Sequence, residues 1–325
     1  MNPEEIHKYL IGQHRNIYQE ALLFEQNRRP VESFLNVLTD PFAPAEELTQ
    51  TGEAVQSKSN KYPVKNNVID FRKQHADDVS EKWSELNTTL INYQKFLTPY
   101  VLMNSLPVYN YIGHKTGLNK LKNARVADIG AGTGQIYGTF FFHPESIEYF
   151  LVDPNLRLLH DQFLRLYPKL TEYPLAHILS YAENLPFKSG SMDLVMSISS
   201  IDHFKDYKQF ISEANRVTKP GGFILIASHL DTDIIKSEKK ITPGQLVQEQ
   251  NSVRPFKQKV FNRLAHKFEF NSRKFHNKKR GPVADDHMHH FENTQKLEEA
   301  LKQGSYQVEQ AEVFQRNFFL KAKKL

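Results

Sequence analysis

The stretch Val126-Ala127-Asp128-Ile129-Gly130-Ala131-Gly132-Thr133-Gly134-Gln135 decides the fold. A short apolar run, the length of a buried strand, opens into three glycines at every second position. Glycine adopts backbone angles closed to other residues and lets a ligand lie against the main chain. A second apolar run, Ile147–Val152, ends in Asp153-Pro154-Asn155. That is about 20 residues further on, where doubly wound nucleotide-binding sheets place an acidic residue for the two ribose hydroxyls. The phosphate-binding patterns are missing. G-x-G-x-x-G needs glycine at 135 or 137, where Gln135 and Tyr137 stand, and G-x-x-x-x-G-K-[ST] does not occur.

Working outward, the rhythm from Ala124 is strand, loop, helix. Ala176–Leu179 and Asp193–Ile198 read as further strands, Phe210–Val217 as an amphipathic helix ending at Lys219-Pro220-Gly221-Gly222, and Phe223–Ser228 as a fifth strand. Alternation of strands and helices predicts a mostly parallel sheet covered on both faces. Thr294–Gln303 reads as a helix stopped by Gly304. Gln307–Phe314 and Phe318–Lys323 then close the chain as an antiparallel pair, since so short a link cannot join parallel strands.

The spacing Gly130-x-Gly132-x-Gly134, with Asp128 two residues before it, resembles the first motif of class I S-adenosylmethionine-dependent methyltransferases. Three further stretches resemble that family in order. They are Ala182-Glu183-Asn184-Leu185-Pro186-Phe187, Ser191-Met192-Asp193-Leu194-Val195, and Glu213-Ala214-Asn215-Arg216-Val217-Thr218-Lys219-Pro220-Gly221-Gly222. The resemblance covers roughly residues 90–325 and points to the family's small-molecule branch. It implies a Rossmann-like α/β fold, a doubly wound seven-stranded mostly parallel sheet, with S-adenosylmethionine as cofactor. In it, Gly130, Gly132 and Gly134 wrap the amino-acid end of the cofactor. Asp128 organises that loop and faces the ammonium, Asp153 binds the ribose hydroxyls, and Ala182 and Glu183 flank the adenine. The chain departs from the pattern at Tyr181, where relatives carry an aspartate that accepts the adenine amino group.

The N-terminal third reads differently. Residues 1–33 carry Ile6, Leu10, Ile17, Ala21 and Phe24 at roughly helical spacing, ended by Pro30. Residues 34–75 are rich in turn formers. Within them, Asp40-Pro41-Phe42-Ala43-Pro44, Gly52, and Tyr62-Pro63-Val64-Lys65-Asn66-Asn67-Val68-Ile69-Asp70-Phe71 resemble the zinc ribbon of the activator subunit of tRNA and protein methyltransferases. The four ligand positions fall on Asp40, Ala43, Gln56 and Ser59, and none is a cysteine. The resemblance therefore implies a ribbon-like module that binds no metal. Residues 76–120 read as a helical entry region, and 121–325 as the methyltransferase domain with a basic insertion at 231–290.

Composition narrows the function classes. The chain has 325 residues and no cysteine, which excludes disulfides, thiolate metal sites and cysteine nucleophiles. Mean hydropathy is −0.56 and no apolar run approaches the length of a membrane span. The N-terminus lacks the features of a signal peptide, so a cytoplasmic location is expected. Net charge is +5, yet Lys236–Arg280 carries 13 Lys/Arg against 3 Asp/Glu. The rest is therefore mildly acidic, and the basic segment needs its own explanation. Its cations interleave with Phe256, Phe261, Phe268, Phe270 and Phe275, a pattern suited to a helical cap, an RNA backbone or an anionic surface.

His203 follows the fourth strand and His229 ends the fifth, at the strand ends where ligands bind in such sheets. The stretch Asp285-Asp286-His287-Met288-His289-His290-Phe291 allows a divalent metal site or a purely structural role, and it also resembles the substrate-facing histidine stretch of small-molecule methyltransferases, which makes His289 a candidate. These three are the candidate catalytic residues, each able to take a proton from an acceptor hydroxyl or amine. The expected activity is methyl transfer to a small organic molecule. An RNA methyltransferase and an inactive, cofactor-binding partner protein are the alternatives.

Overall fold

A computed structural model describes residues 28–72, 106–132, 134–154, 172–229, 294–314 and 317–325. The expected helix within 1–33 therefore lies mostly outside the described residues, as do 76–105, the basic segment Lys236–Arg280 and His289. Where the chain enters, it is not α-helical. Arg28 bridges Leu175 in parallel, and Val31–Ser33 and Leu35–Val37 are single 3-10 turns.

One sheet runs through the molecule. Its strands are β1 (Thr49–Thr51), β2 (Ala54–Gln56), β3 (Lys61–Lys65), β4 (Val68–Asp70), β5 (Ala124–Ile129), β6 (Ile147–Val152), β7 (Ala176–Leu179), β8 (Met192–Ile198), β9 (Thr218–His229), β10 (Tyr306–Phe314) and β11 (Asn317–Lys324). The order is β1-β2-β3-β4-β7-β6-β5-β8-β9-β11-β10. From β4 to β9 every neighbouring pair is parallel, and β10 and β11 close one end antiparallel. The sheet therefore has eleven strands where the sequence predicted seven. The four extra strands are the meander of residues 49–70, whose last strand pairs with β7: Ile69 lies beside Ile178, and Asp70 beside Leu179.

The two faces follow from the period of a strand. Ala127, Ile129, Phe150 and Val152 point to one apolar layer, and Val126, Tyr149 and Leu151 to the other. Helices α1 (Leu106–Thr116) and α2 (Gln135–Phe140) cover the second layer through Ile112, Ile136 and Phe140. Helices α3 (Tyr207–Val217) and α4 (Thr294–Gln303) cover the first through Phe210, Ala214, Leu297 and Leu301. Helix α3 starts where Asp206 accepts the N–H groups of Lys208 and Gln209 at 2.9 and 3.1 Å, a side-chain cap. This is a Rossmann-like α/β fold. No helix among the described residues is long and apolar enough to cross a membrane.

Residues 31–71 do not form a separate core. Val31, Phe34, Leu38, Val55, Tyr62, Ile69 and Phe71 belong to the same apolar layer as β5, β6 and α3. Phe34 meets Phe150 edge to face at 6.0 Å. Full burial of each such ring contributes about 2–3 kcal/mol. Asp40 lies fully buried beneath the meander. Its Oδ1 accepts the N–H groups of Phe42 and Ala43 at 2.8 and 3.1 Å and the Tyr62 hydroxyl at 2.6 Å. Its Oδ2 accepts the Ser57 hydroxyl at 2.6 Å and the Asn60 amide at 2.8 Å. Burial alone would raise its pKa, but these donors together hold it below the ordinary carboxylate value. Ser59 bonds instead to Glu46, through its hydroxyl at 2.6 Å and its N–H at 2.9 Å.

Candidate functional site

Strand β5 sits between β6 and β8, so the connections leave it in opposite directions. The crevice at the carboxyl end of such a strand is where doubly wound sheets bind ligands. The glycine loop begins there. Gly130, Gly132 and Gly134 all have left-handed backbones, with φ of 72°, 54° and 73°. At Gly130 the requirement is double. Its N–H is tied to the Val152 carbonyl at 2.8 Å, and a Cβ would lie 2.4 Å from Cβ of Ser200. Ser200 is fixed there because its hydroxyl donates to the Ile129 carbonyl at 2.9 Å.

Two carboxylates lie near this loop: Asp153 touches it, and Asp128 stands two residues before it in β5. Asp153, at the end of β6, accepts the Gly132 N–H on Oδ2 at 2.8 Å. Asp128 is buried inside β5, and the Tyr149 hydroxyl donates to it at 2.5 Å. Burial pushes the Asp128 pKa up to about 7; Tyr149 works against that rise and the negative charge of Asp153 adds to it. Tyr149 in turn is raised well above the usual phenol range, chiefly by burial. A cation brought near Asp128 would pull its carboxyl toward the ionised form.

The 182–187 segment forms the next wall. Ala182 is buried in the core, while the Glu183 carboxylate turns to the start of α3 and accepts the Asp206 N–H at 3.1 Å. Two residues of α3, one turn apart, clamp the segment. Glu213 accepts the Leu185 N–H at 2.8 Å, and Arg216 donates to the carbonyls of Phe187 and Leu185 at 2.6 and 2.7 Å. The two side chains also pair with each other at 2.7 Å. On the opposite side, the Thr39 N–H meets the Pro186 carbonyl and the Lys188 N–H meets the Val37 carbonyl, both at 3.0 Å.

His203 stands one turn beyond Ser200, its N–H on the Ser200 carbonyl at 2.9 Å. It is partly exposed. Its Nε2 lies 3.8 Å from Oδ2 of Asp202, whose Oδ1 accepts the Ser228 hydroxyl at 3.2 Å. The backbone of His229 ends β9 opposite Asn317. His203 thus lies three residues after Ser200, the residue that packs against Gly130.

Tyr149, Ser200 and Arg72 were not singled out from the sequence. Glu213, Arg216 and Asp70 stood in the quoted motifs, but without a role in the site, and the i, i+3 spacing of Glu213 and Arg216 was the signal for a shared contact. Among the described residues there is no cluster of three or more His, Cys, Asp or Glu that could hold a metal.

The donor set suits a cationic nucleoside. No Lys or Arg stands between Val126 and Asp153. Asp153 supplies negative charge beside Gly132, at a loop whose left-handed glycines let a ligand approach the main chain. S-adenosylmethionine, with its ammonium, sulfonium and ribose diol, matches that chemistry.

Comparison with known proteins agrees. Residues 127–226 match the family model described as a methyltransferase domain. Over 64 residues the chain is 39% identical to ajmaline N-methyltransferase of Rauvolfia serpentina, covering 20% of this chain and 22% of that one. Over 130 residues it is 30% identical to the chloroplastic tocopherol O-methyltransferase of Arabidopsis thaliana, covering 38% of this chain and 35% of that one. A SAM-dependent methyltransferase structure from Aquifex aeolicus aligns with 66% of this chain and 89% of its own, at 14% identity and a TM-score of 0.37. The matched region spans between 22% and 35% of these two curated relatives. The segment that holds the glycine loop, Asp153 and the clamped wall is thus a methyltransferase domain, and the cofactor of such a domain is S-adenosylmethionine.

Proposed function

We propose that this protein transfers the methyl group of S-adenosylmethionine to a small organic acceptor. The observation that carries the reading is the Gly132–Asp153 contact at the switch point of the sheet, inside the segment matched as a methyltransferase domain. A small acceptor is favoured because the matched relatives are named for methylating ajmaline and tocopherol.

The chemistry that the bound cofactor brings is an electrophilic methyl on a sulfonium, displaced in line by an acceptor lone pair. The chain's own residues bind and align. The left-handed glycines would leave the main chain open to the amino-acid end of the cofactor, Asp128 would offset its ammonium, and Asp153, which also accepts the Gly132 N–H, would take the ribose hydroxyls. Ala182, Glu183 and Tyr181 flank the adenine, on a segment that Glu213 and Arg216 keep from moving. Alignment and exclusion of water account for most of the rate in such a displacement. Where the acceptor is a hydroxyl, His203, with the Asp202 carboxylate nearby, is the candidate to take its proton, and His229 and His289 are the other candidates.

Residues 34–71 are, on this reading, a ribbon whose crosslink is the Asp40 carboxylate. It stands at the first expected ligand position and draws in donors from both turns that a metal would join.

Calorimetric titration of the full chain with S-adenosylmethionine tests the function. Binding is expected in the wild type, and Asp153→Ala should weaken it by roughly tenfold or more. No binding by well-folded wild type rejects the enzyme reading, and an unchanged constant in Asp153→Ala removes the ribose role.

A further inference from the structure

The seam between β4 and β7 carries a contact that neither the glycine loop nor the family pattern accounts for. Beyond the last β4–β7 pair, the Phe71 N–H still reaches the Leu179 carbonyl at 2.9 Å. The chain then delivers Arg72 to the same end of the sheet as the glycine loop. Its guanidinium is held from two sides. Nε and Nη2 meet the two oxygens of Asp70 at 2.8 and 2.6 Å, a bidentate fork, and the Arg72 N–H also reaches Asp70 at 3.0 Å. The remaining Nη1 donates to the carbonyl of Pro154 at 2.8 Å, across 82 residues of sequence.

Pro154 follows Asp153 directly, and Asp153 is the residue whose carboxylate meets Gly132. A rigid relay therefore runs from Asp70 through Arg72 and the Pro154 carbonyl to Asp153. Tyr181, at the adenine-side departure from the family pattern, lies within electrostatic reach of the same guanidinium. Lysine could not replace arginine here, because one point charge cannot pair bidentately with Asp70 and also cap a carbonyl on the far side.

We propose that Arg72 is a positioning residue of the cofactor site: through the Pro154 carbonyl it fixes Asp153 for the ribose hydroxyls. The inference rests on the methyltransferase reading and adds to it that residues before the matched segment build part of the site.

The test is calorimetry on the full chain with S-adenosylhomocysteine and its 2′-deoxy analogue. Wild type should prefer the ribose form, and Asp153→Ala should abolish most of that preference. Arg72→Ala is expected to weaken S-adenosylhomocysteine about tenfold while costing the deoxy analogue much less, so that ribose discrimination shrinks. Arg72→Lys should behave nearly like the alanine variant. Arg72→Gln keeps a donor for Pro154 and serves if Arg72→Ala does not fold; its discrimination should fall between. Wild-type discrimination in these variants, or an equal loss for both ligands, overturns the proposal. Failure of wild type to bind either ligand takes down the function and the proposal together, whereas binding by wild type with an unaltered Arg72→Ala overturns the proposal alone.

Discussion

Asp40 and Gly130 show how much one residue can decide. At Gly130 the left-handed angle, and the Ser200 side chain that any Cβ would collide with, leave room for hydrogen only. At Asp40 a single buried carboxylate collects five donors from three stretches of chain. Replacing it by asparagine removes the charge and turns an amide N–H₂ toward groups that themselves donate. Asp40→Asn should therefore cost about 3 kcal/mol, read as a lower midpoint in denaturant unfolding. Because the folded pKa of Asp40 is held below its ordinary value, its contribution is present above that ordinary value and fades as pH falls through the folded one. The asparagine variant should lose that acid sensitivity. Sequence showed the residue type and its place in the ribbon pattern. It could not show the donors, because Ser57, Asn60 and Tyr62 become its neighbours only once the meander folds.

At the scale of elements, strands were the more legible part. β6, β7 and α4 fall on the residues predicted from apolar runs and caps. β9 begins earlier, at Thr218, and runs through Lys219-Pro220-Gly221-Gly222, which reads locally as a helix stop. The difference is tertiary. Thr218 pairs with Met192 across an irregularity in β8, and its hydroxyl bonds Ala214 and Tyr306. On either side of Pro30, where the helical pattern ends, the chain takes partners far along the sequence: Arg28 bridges Leu175 and Phe34 meets Phe150. In the site, glycine spacing and Asp153 were readable because they are local, and the clamp on 182–187 was not. That clamp is testable. Arg216→Ala strips two buried carbonyls of their donor and frees the Glu213 carboxylate. Faster hydrogen exchange at the Leu185 N–H is expected, with a loss of about 2 kcal/mol in global stability. Arg216→Lys should not restore it.

At the scale of the molecule, Asp128 and His177, both buried, respond to pH in opposite directions. Asp128 is raised from 3.8 to about 7, so its contribution is complete below its unfolded value and is lost as pH rises through the folded one. His177, in β7, is lowered from 6.5 to about 3, first by burial and then by the charge of Arg28. Its contribution is present above 6.5 and is lost as pH falls. Between the two unfolded values the slopes nearly cancel, at about 1.4 kcal/mol per pH unit each. Thermal midpoints should show it. His177→Leu should become less stable as pH rises from about 4 to 7, and Asp128→Asn more stable as pH rises from about 3 to 6.5. Parallel profiles for the two variants would refute the pair of assignments.

The pairing of β4 with β7 has a further consequence. A wall of the site lent by a second chain would come and go with dilution, and a ribbon pinned by a metal would answer to chelators. Here the meander shares a backbone ladder with the parallel sheet through β4 and β7, and the buried Asp40 carboxylate ties its turns together. A solute that loosens that tie is the proton, which neutralises the carboxylate.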